Sequence, residues 1–599
     1  MGSSEVSNAK RNLNLNPSQW IEAFGTALDQ GNIEAALELF DDTCFWRDFV
    51  AFTWNIKTVE GRDSIRAMLQ QTLDQIGPAD WAMDGEAWKT GDYVEAWFTF
   101  HTAVGKGRGH LRLIDGKCRT LLTTLESLGG YEEKSGHHRI AGTTHVIQQG
   151  GENWLEKKTR EESRLGVDEQ PWCLIIGGGQ GGISLAARLR RLDVPYLVIE
   201  KNPRAGDSWR NRYRSLVLHD PVWYDHLPYL PFPDDWPVFT PKDKMGDWLE
   251  AYVKIMELRY WTNSECKAAA YDADYKTWTV QIERDGKPVT LHPHQLVFAT
   301  GAYGAPKMAD IPTRKPFAGD IIHTSQYRSG SDYTGKKCIV IGSASSAHDV
   351  AADLWENGAS VTMVQRSPSI VVRSETLMKL AFEGHYSESA VEAGIDVNKA
   401  DMLGASIPYR MIPEFQKPIY EAIAKQDAEF YQKLSDAGFI WDFGEDNSGL
   451  MAKAMRTASG YYIDVGACAL IIDGRIAVKS DAEIEAVVEN GLAMSDDSVL
   501  EADVIIHATG YHSLDDTIAR LISPEVSKKI GKFWGYGSGV TGDPGPYEGE
   551  LRNMWKPTRQ QALWFHGGNL ALSRQFSNYL ALQLKARLEG MDTPVYDGT

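Results

Sequence analysis

The 599-residue sequence predicts an α+β domain followed by a larger α/β region with parallel sheets. In the N-terminal quarter, helical patterns precede strand patterns, an order that is typical of α+β domains. From Trp172 onward, short apolar strands alternate with helices, as they do in parallel α/β sheets. We therefore expect a disordered tail at 1–15, an α+β domain at 16–150 and a charged linker at 151–170.

The α+β domain opens with two short predicted helices, which are separated by a polar break at 30–32. Residues Asp92–Val104 alternate in polarity and are rich in aromatic side chains, so they predict a strand. We expect the glycine-rich segment Gly105–Gly109 to form a turn into a second strand at 110–114. Residues Cys118–Leu128 would then continue a curved antiparallel sheet.

Composition and charge exclude several classes of function. Asp and Glu total 81 against 62 Lys and Arg, so the net charge is −19, and a surface this acidic repels nucleic acid and anionic membranes. No apolar run approaches the roughly 18 residues of a membrane span. The six cysteines are dispersed, without a CxxC pair or metal-ligand spacing. We expect a cytoplasmic protein with reduced thiols and no bound metal, whose partners include neither nucleic acid nor membrane.

The strand pattern at Cys173–Ile176 leads into a complete dinucleotide-binding motif. Gly177-Gly-Gly-Gln-Gly-Gly182 is followed by a helical pattern and by a second strand that ends at Glu200. In such a Rossmann unit Gly177 permits the tight turn, Gly179 admits a pyrophosphate, and Gly182 lets the helix pack on the strand. Glu200 would accept both ribose hydroxyls and repel a 2′-phosphate. The site therefore favours FAD or NAD.

A second unit of the same kind begins at Lys337. Its glycine motif is reduced to Gly342-x-Ala344-x-x-Ala347, and its second strand ends in Gln365-Arg366-Ser367 rather than in an acid. An arginine at this place pairs with a 2′-phosphate in bidentate fashion, so we expect NADPH here. Two units in one chain imply an oxidoreductase in which a flavin accepts a hydride from a nicotinamide.

Four further segments resemble class B flavoprotein monooxygenases, the group that includes flavin-containing monooxygenases, Baeyer–Villiger monooxygenases and N-hydroxylases. Phe317-Ala-Gly-Asp-Ile-Ile-His-Thr-Ser-Gln-Tyr327 resembles their FxGxxxHxxx(aromatic) fingerprint. Leu296–Gly301 and Val504–Tyr511 look like the family's two ATG strands, and Gly206–Tyr213 resembles its G-x-x-W segment beside the flavin. The resemblance covers residues 171–590.

This resemblance implies an α/β two-dinucleotide-binding (double Rossmann) flavoprotein core. Its FAD-binding domain would comprise 171–332 and 481–599, with a C-terminal helix. Its NADPH-binding domain would comprise 333–480, with a helical insertion at 375–460. Leu218-His-Asp-Pro221 and the LPFP that follows resemble the YUCCA-type enzymes, and Tyr327 stands where the Baeyer–Villiger fingerprint has Trp.

The N-terminal domain is similar to SnoaL-like, nuclear-transport-factor-like α+β cones. Trp46-Arg-Asp48 and the aromatic segment Trp97–Thr102 carry this resemblance. It implies a packing or dimerisation module, so we expect a homodimer formed through this domain. Asp48, His101 and His110 are candidates for a cavity site in the cone, but we favour structural roles for all three.

The resemblance implies an NADPH- and O2-dependent FAD monooxygenase that forms a C4a-(hydro)peroxyflavin and oxygenates a small organic substrate. N- or S-oxygenation is favoured. Baeyer–Villiger reaction of a ketone and YUCCA-like oxidative decarboxylation of a 2-oxo acid stay open. A non-catalytic flavin-binding protein is a further alternative because the second glycine motif is degraded. A disulfide reductase is disfavoured, since its redox CxxxxC is missing beside the flavin.

The candidate catalytic residues are His219, Asp220 and Arg373. By resemblance, His219 would donate a hydrogen bond to the flavin peroxide, Asp220 would hold NADP⁺ or an arginine, and Arg373 would assist a peroxyflavin anion. We expect His323 to couple the two nucleotide domains. The candidate cofactor-binding residues are Gly177, Gly179, Gln180, Gly181, Gly182, Glu200, Lys201, Ser208, Trp209, Arg210, His219, Cys266, Ala299, Thr300, Gly301, Phe317, Gly319, His323, Tyr327, Gly342, Ser343, Ser345, Ser346, Ala347, Arg366, Ser367, Ala508, Thr509, Gly510, Tyr511, Gly568 and Asn569.

Overall fold

The computed structural model describes residues 15–142, 149–301 and 305–598. The predicted tail at 1–15 lies outside this part of the chain, except for Leu15. The described residues form two compact units. The N-terminal unit comprises 15–132, 402–408 and 589–598, and the central unit comprises the residues between 133 and 401 and between 409 and 588.

The N-terminal unit consists of helices and one curved sheet, as its α+β pattern predicts. Its helices are Pro17–Asp29 (α1), Ile33–Leu37 (α2) and Gly61–Ile76 (α3). Its strands are Phe40–Phe49 (β1), Ile56–Glu60 (β2), Ala79–Met83 (β3), Trp88–Thr90 (β4), Tyr93–Thr102 (β5), Gly105–Ile114 (β6) and Lys117–Leu128 (β7). The strand order is β2-β1-β7-β6-β5-β3, with β4 on β5. The pairing of β1 with β7 is parallel, whereas the sequence predicts an antiparallel sheet throughout.

The predicted turn at Gly105–Gly109 is wrong, because β6 already begins at Gly105. Gly107 and Gly109 lie in extended strand opposite Phe100 and Phe98. A Cβ on either glycine would overlap the aromatic ring that faces it. These glycines therefore make room for the buried aromatic core of the unit, and glycine in a strand commonly marks such a close approach.

Two segments from distant parts of the sequence complete the N-terminal unit. Arg47 Nη1 donates to the Ala405 carbonyl at 2.6 Å, and Arg112 Nη1 donates to the Ser406 carbonyl at 3.2 Å. Asn55 Nδ2 donates to the Tyr596 carbonyl at 2.9 Å. The chain is therefore divided differently from the predicted domains, which assign 402–408 to the NADPH-binding domain and 589–598 to the FAD-binding domain.

Within its described residues, the central unit contains two five-stranded parallel sheets and three sheets of three strands. Its strands before residue 300 are Cys173–Ile176 (β8), Tyr196–Ile199 (β9), Tyr260–Trp261 (β10), Ser264–Asp272 (β11), Thr277–Arg284 (β12), Lys287–Leu291 (β13) and Gln295–Phe298 (β14). The later strands are Asp320–His323 (β15), Lys337–Ile341 (β16), Ser360–Val364 (β17), Ser369–Arg373 (β18), Trp441–Asp442 (β19), Tyr461–Asp464 (β20), Ile476–Lys479 (β21), Ile484–Val488 (β22), Gly491–Met494 (β23), Val499–Glu501 (β24), Val504–His507 (β25) and Leu563–Phe565 (β26).

The two five-stranded sheets are parallel and have the orders β10-β9-β8-β14-β26 and β15-β25-β16-β17-β21. Each glycine motif follows the central strand of its sheet, β8 or β16. The small sheets are β11-β12-β13, β19-β18-β20 and β22-β23-β24. The predicted α/β class with parallel sheets, preceded by an α+β domain, is confirmed.

Helices cover the sheets and form most of the predicted insertion at 375–460. Within the described residues, those before residue 360 are Trp154–Arg164 (α4), Gln180–Arg191 (α5), Asp207–Arg210 (α6), Lys242–Ile255 (α7) and Ser345–Glu356 (α8). The remaining ones are Ser374–Leu377 (α9), Glu388–Glu392 (α10), Val397–Ala405 (α11), Ile412–Gln426 (α12), Ala428–Asp436 (α13), Gly449–Thr457 (α14), Ala467–Ile472 (α15), Leu514–Leu521 (α16), Pro524–Ile530 (α17) and Leu570–Leu588 (α18). The predicted linker thus contains a helix, α4. No helix of the described chain has the length and apolarity needed to cross a membrane.

The Gly109→Ala substitution tests whether β6 needs glycine at this position to leave room for the Phe98 ring. We expect it to lower the free energy of unfolding by about 1–3 kcal/mol, because the added methyl group overlaps Phe98 in a packed core. Gly129→Ala is the control, since its Cβ would meet only the Val104 carbonyl oxygen at 3.7 Å. Urea denaturation measures both changes. Equal stability of the two variants would contradict the steric role.

A second prediction concerns pH and the buried His566, which directly follows β26 and is 2% exposed. Burial lowers the pKa of His566 from 6.5 to about 3. The unfolded chain therefore binds a proton below about pH 6.5 that the folded chain excludes, so stability is present above that pH and is lost toward pH 3. His566→Gln should make the loss between about pH 7 and pH 5 smaller by about 2 kcal/mol in urea denaturation.

His292→Gln, at an exposed position of the same unit, is the control for this pH experiment. It should leave the pH dependence as in the parent protein. If the parent, His566→Gln and His292→Gln all lost the same stability on acidification, the role of His566 would be refuted.

Candidate functional site

The first glycine motif forms the turn between β8 and α5. Gly177 has a left-handed backbone (φ +106°), and a Cβ there would lie 2.5 Å from the Ala299 carbonyl oxygen. A Cβ on Gly182 would overlap the Gly177 carbonyl. Gly179 differs, because its φ of −76° suits any residue and its Cβ would meet only Ser208 Oγ, at 3.7 Å. Neither backbone nor protein packing requires glycine at position 179, so the turn is open on that side.

Glu200 is held directly against this turn. Its carboxylate accepts hydrogen bonds from Gly178 N at 2.8 Å and from Asn202 N and Nδ2 at 2.9 and 2.6 Å. The Tyr260 hydroxyl donates to the Gly178 carbonyl at 2.8 Å. The sequence motif identifies Glu200 but not Asn202 or Tyr260, because no local pattern marks these two partners.

The glycine-rich turn after β26 lies beside the same motif. Gln180 Nε2 donates to the Gly568 carbonyl at 3.2 Å, and a Cβ on Gly181 would lie 3.3 Å from the Gly567 Cα. The side chain of Asn569 caps α18 by accepting a backbone hydrogen bond at 3.0 Å. Two turns that are about 390 positions apart in the sequence therefore border one site.

Other residues predicted for the first site are exposed to solvent or half-buried. Thr300 is exposed after β14, and it is followed by Gly301 (φ +88°). Lys201 and Ser208 are exposed and Trp209 is half-buried, so all three are accessible from solvent.

Arg210 and Cys266 are engaged with the protein. Arg210 forms ion pairs with Asp207, Asp247 and Glu250 at 2.8–3.0 Å, so its charge is neutralised within the protein. Cys266 is buried on β11, where burial raises the pKa of its thiol to about 12. Both side chains therefore serve the protein, and cofactor binding by Arg210 and Cys266 stays a prediction.

The second glycine motif repeats the geometry of the first. Gly342 has φ +125°, and a Cβ there would lie 2.5 Å from the Ala508 carbonyl oxygen. Ala344 precedes α8 with φ −95°, close to the φ of −76° at Gly179 before α5. Because Ala344 carries a Cβ, a ligand has less room here than at the first turn.

The polar residues of the second motif fall into two groups. Ser343 Oγ lies 2.8 Å from Ser369 Oγ, and Ser345 Oγ donates to the Tyr461 carbonyl at 2.8 Å, so both hydroxyls serve the protein. Ser346 is half-buried in the first turn of α8, and Ala347 is buried behind it. Arg366 and Ser367 are exposed just after β17. No carboxylate of the described chain pairs with Arg366.

The fingerprint residues and the second ATG segment support the second sheet. Tyr327 is buried and donates to Asp353 at 2.6 Å, and a Cβ on Gly319 would overlap the backbone carbonyl of Asp503. His323 Nε2 lies 2.9 Å from the Gly510 carbonyl oxygen.

Neighbouring residues of these segments are engaged in the same way. Phe317 joins an apolar cluster, Thr509 Oγ1 donates to the Lys307 carbonyl at 2.5 Å, and the Tyr511 ring lies 5.1 Å from that of His323. The sequence predicts that these residues bind cofactor. Their side chains fix the backbone of the sheet, and cofactor binding by these residues stays a prediction.

A connecting segment, 213–226, joins the two motifs. At one end the Tyr213 hydroxyl donates to Asp349 of α8 at 2.6 Å, and the His219 ring lies 6.4 Å from that of Tyr461. At the other end the Tyr224 hydroxyl accepts from Asn569 Nδ2 at 2.9 Å. His219 and Asp220 thus lie on a segment that contacts the elements of both nucleotide turns.

Two carboxyl groups of the connecting segment are desolvated. Burial raises the pKa of Asp220, and the neighbouring His219 opposes this shift. Burial and the charge of Asp220 raise the pKa of Asp225 well above its ordinary value, while Arg574 opposes the shift. Burial, followed by the Arg574 charge, lowers the pKa of His226 to about 4. The segment therefore combines carboxyl groups that favour protonation with a neutral imidazole.

Arg373, the third predicted catalytic residue, is engaged elsewhere. Its guanidinium pairs with Asp427 at 3.1 Å and with Glu375 at 2.9 Å. These contacts fix the end of β18 against the helical insertion. We therefore assign Arg373 a structural role.

The candidate residues of the N-terminal unit do not form one site. Asp48 pairs with Thr123 across the sheet and His110 pairs with Leu122, so the two side chains point to opposite faces. His110 is fully buried beside Glu95 at 3.1 Å, whereas His101 is exposed. We therefore assign these three side chains to structure, as the sequence analysis favours.

Comparison with known proteins agrees with this architecture. Residues 174–389 match the family described as pyridine nucleotide-disulphide oxidoreductase, and residues 21–119 match the SnoaL-like domain. Among solved structures, cyclohexanone monooxygenase bound to ε-caprolactone has a TM-score of 0.50 at 17% identity, covering 70% of this chain and 88% of that one. OTEMO in complex with FAD and NADP has a TM-score of 0.50 at 16% identity, covering 70% and 85%. At these identities the likeness shows the fold alone.

Sequence relatives define the family. The chain is 28% identical over 346 residues to a probable indole-3-pyruvate monooxygenase, YUCCA7, of Arabidopsis thaliana, covering 57% of this chain and 74% of that one. It is 31% identical over 344 residues to the indole-3-pyruvate monooxygenase YUCCA1 of Oryza sativa subsp. japonica, covering 57% of this chain and 77% of that enzyme. The chain therefore belongs to the family of flavin-dependent monooxygenases that contains the YUCCA enzymes, and it carries an additional SnoaL-like domain at its N-terminus.

Proposed function

We propose that this chain is a double-Rossmann monooxygenase that uses FAD, NADPH and O2 to oxygenate a small organic substrate. The observation that carries the proposal is the open backbone at Gly179, where neither φ nor packing requires glycine. A pyrophosphate that approaches the backbone closely does require it. A bound FAD would supply hydride acceptance from NADPH and the activation of O2.

In this proposal the first site holds FAD through the N-terminus of α5 and through Glu200. The free N–H groups of the α5 N-terminus favour the pyrophosphate. The Glu200 carboxylate, which now accepts from Gly178 and Asn202, would accept the ribose hydroxyls. Gly568 and Asn569 would border the flavin on the opposite side of the turn.

NADPH would bind at the second turn, with Arg366 on the 2′-phosphate. Arg366 supports this assignment because it is exposed and free of carboxylate partners in the described chain, whereas Arg210 and Arg373 are ion-paired. His219, on the segment between both turns, would hold a proton near the reacting atoms. The buried Tyr224 and the half-buried Tyr386 ring that packs on it would exclude water.

For the reaction type we propose N- or S-oxygenation. A second candidate is oxidative decarboxylation of a 2-oxo acid, because the matched relatives are indole-3-pyruvate monooxygenases. Product analysis with an amine, a sulfide, a ketone and a 2-oxo acid separates these reactions. We further propose that the SnoaL-like cone is a packing module.

The proposal predicts that purified protein carries FAD and that NADPH bleaches its visible absorbance without oxygen. Admitting O2 and substrate should restore the absorbance and yield one oxygenated product for each NADPH. Gly179→Val should fold like the parent protein but lose FAD, because its side chain fills the pyrophosphate cradle. A protein that binds FAD but is never reduced by NADPH would instead be a non-catalytic flavin-binding protein.

A separate prediction concerns the choice of nicotinamide. Arg366→Ala should raise the KM for NADPH about tenfold or more, because a charge-assisted phosphate contact is lost, and should leave the KM for NADH unchanged. Arg475→Ala, which removes an exposed arginine paired with Asp473, is the matched control. If the NADPH preference survived in Arg366→Ala, the 2′-phosphate would be bound elsewhere.

A further inference from the structure

Arg574 lies on α18, five residues after Asn569, and its guanidinium is almost fully buried at 2% exposure. Nη1 donates to the carbonyl oxygens of Tyr224 at 2.7 Å and His226 at 2.6 Å. Nε and Nη2 donate to the two carboxylate oxygens of Asp401 at 2.8 and 2.7 Å. One side chain therefore joins the last helix, the connecting segment and helix α11.

Asp401 is itself fixed from two further directions. The Tyr386 hydroxyl donates to its carboxylate at 2.9 Å, and Gln575 Nε2 donates to its backbone carbonyl at 3.0 Å. A buried ion pair of this kind is costly to break, because the remaining charge is left without a partner. The planar fork of arginine matches the carboxylate in bidentate geometry, and lysine has no equivalent arrangement.

The carbonyls that Arg574 holds belong to the connecting segment beside the proposed flavin site. Tyr224 also contacts Asn569, which follows Gly568 and thus borders the first nucleotide turn. Asp220 lies four residues before Tyr224. Burial raises the pKa of the Tyr224 phenol, and the charge of Asp220 raises it further. Arg574 therefore fixes the chain on which His219 and Asp220 are mounted.

We propose that Arg574 is a positioning residue that sets the backbone of residues 219–226, with Asp401 holding its guanidinium in place. This inference rests on the proposed monooxygenase function. Arg574 would act through the Tyr224 and His226 carbonyls, without touching substrate or cofactor. A small displacement of the segment would admit water and misplace His219. NADPH and O2 would then be consumed to form hydrogen peroxide instead of oxygenated product.

The test uses the full-length holoprotein with Arg574→Lys and Asp401→Asn. Both variants should retain FAD and be reduced by NADPH within about threefold of the parent rate. Product formed per NADPH should fall about ten- to a hundredfold in Arg574→Lys, with a matching gain in hydrogen peroxide. Asp401→Asn should show a smaller change in the same direction. Arg587→Lys, which alters an arginine stacked on Trp564 of the same unit, should behave like the parent.

Hydrogen exchange supplies a readout that is independent of turnover. In Arg574→Lys, exchange should rise at 219–226 and stay unchanged at 180–191 of α5. Unchanged product per NADPH in Arg574→Lys, or unchanged exchange at 219–226, would overturn the positioning role. Failure of the proposed function would show differently, as a parent protein whose flavin NADPH does not reduce.

Discussion

At each of the two glycine motifs of the central unit, backbone packs directly on backbone and leaves no room for a side chain. Gly177 lies against the Ala299 carbonyl, and Gly342 lies in the same relation to the Ala508 carbonyl. Each approach brings the N-terminus of a helix to the carboxyl edge of its parallel sheet, where helix N–H groups attract anions. Glu200 accepts a hydrogen bond from Gly178 of the first turn, and Tyr213 of the connecting segment donates to Asp349 of α8, the helix that follows the second turn. The site thus depends on a steric constraint of the main chain before it depends on any catalytic group.

The parts of the fold that were predictable from the sequence are those whose cause is local. The helices α1 and α2 and the strand–turn–helix order around Gly177 follow from residue periodicity and from the turn itself. The prediction for 105–109 is wrong because glycine is needed either in a turn or beside a close neighbour, and the Phe98 ring that decides between these reasons belongs to another strand. Position in the sequence alone does not reveal such a neighbour.

Prediction of the site is limited in a similar way, because the sequence does not show which residue a charged side chain pairs with. The sequence does not distinguish the side-chain environments of Arg210, Arg366 and Arg373. In the described chain, carboxylates neutralise Arg210 and Arg373, whereas Arg366 is exposed without such a partner. Arg574 and Asp401 are 173 positions apart, and no periodicity connects them. The fingerprint around His323 identifies the family, and the structure adds that the side chains of His323 and Tyr327 hold the backbone of a sheet, a role that the motif alone does not reveal.

The N-terminal unit is assembled from three separate stretches of chain, and this affects how the gene could be recombined. Segment 402–408 supplies the carbonyls for the buried guanidinium groups of Arg47 and Arg112, and Tyr596 supplies one for Asn55. A chimera that exchanged only the first 132 residues would separate these donors from the acceptors on the other two stretches, and two buried guanidinium groups would lose carbonyl partners. The SnoaL-like unit therefore cannot be moved to another protein as one contiguous segment. An exchange that preserves it has to carry all three stretches at once.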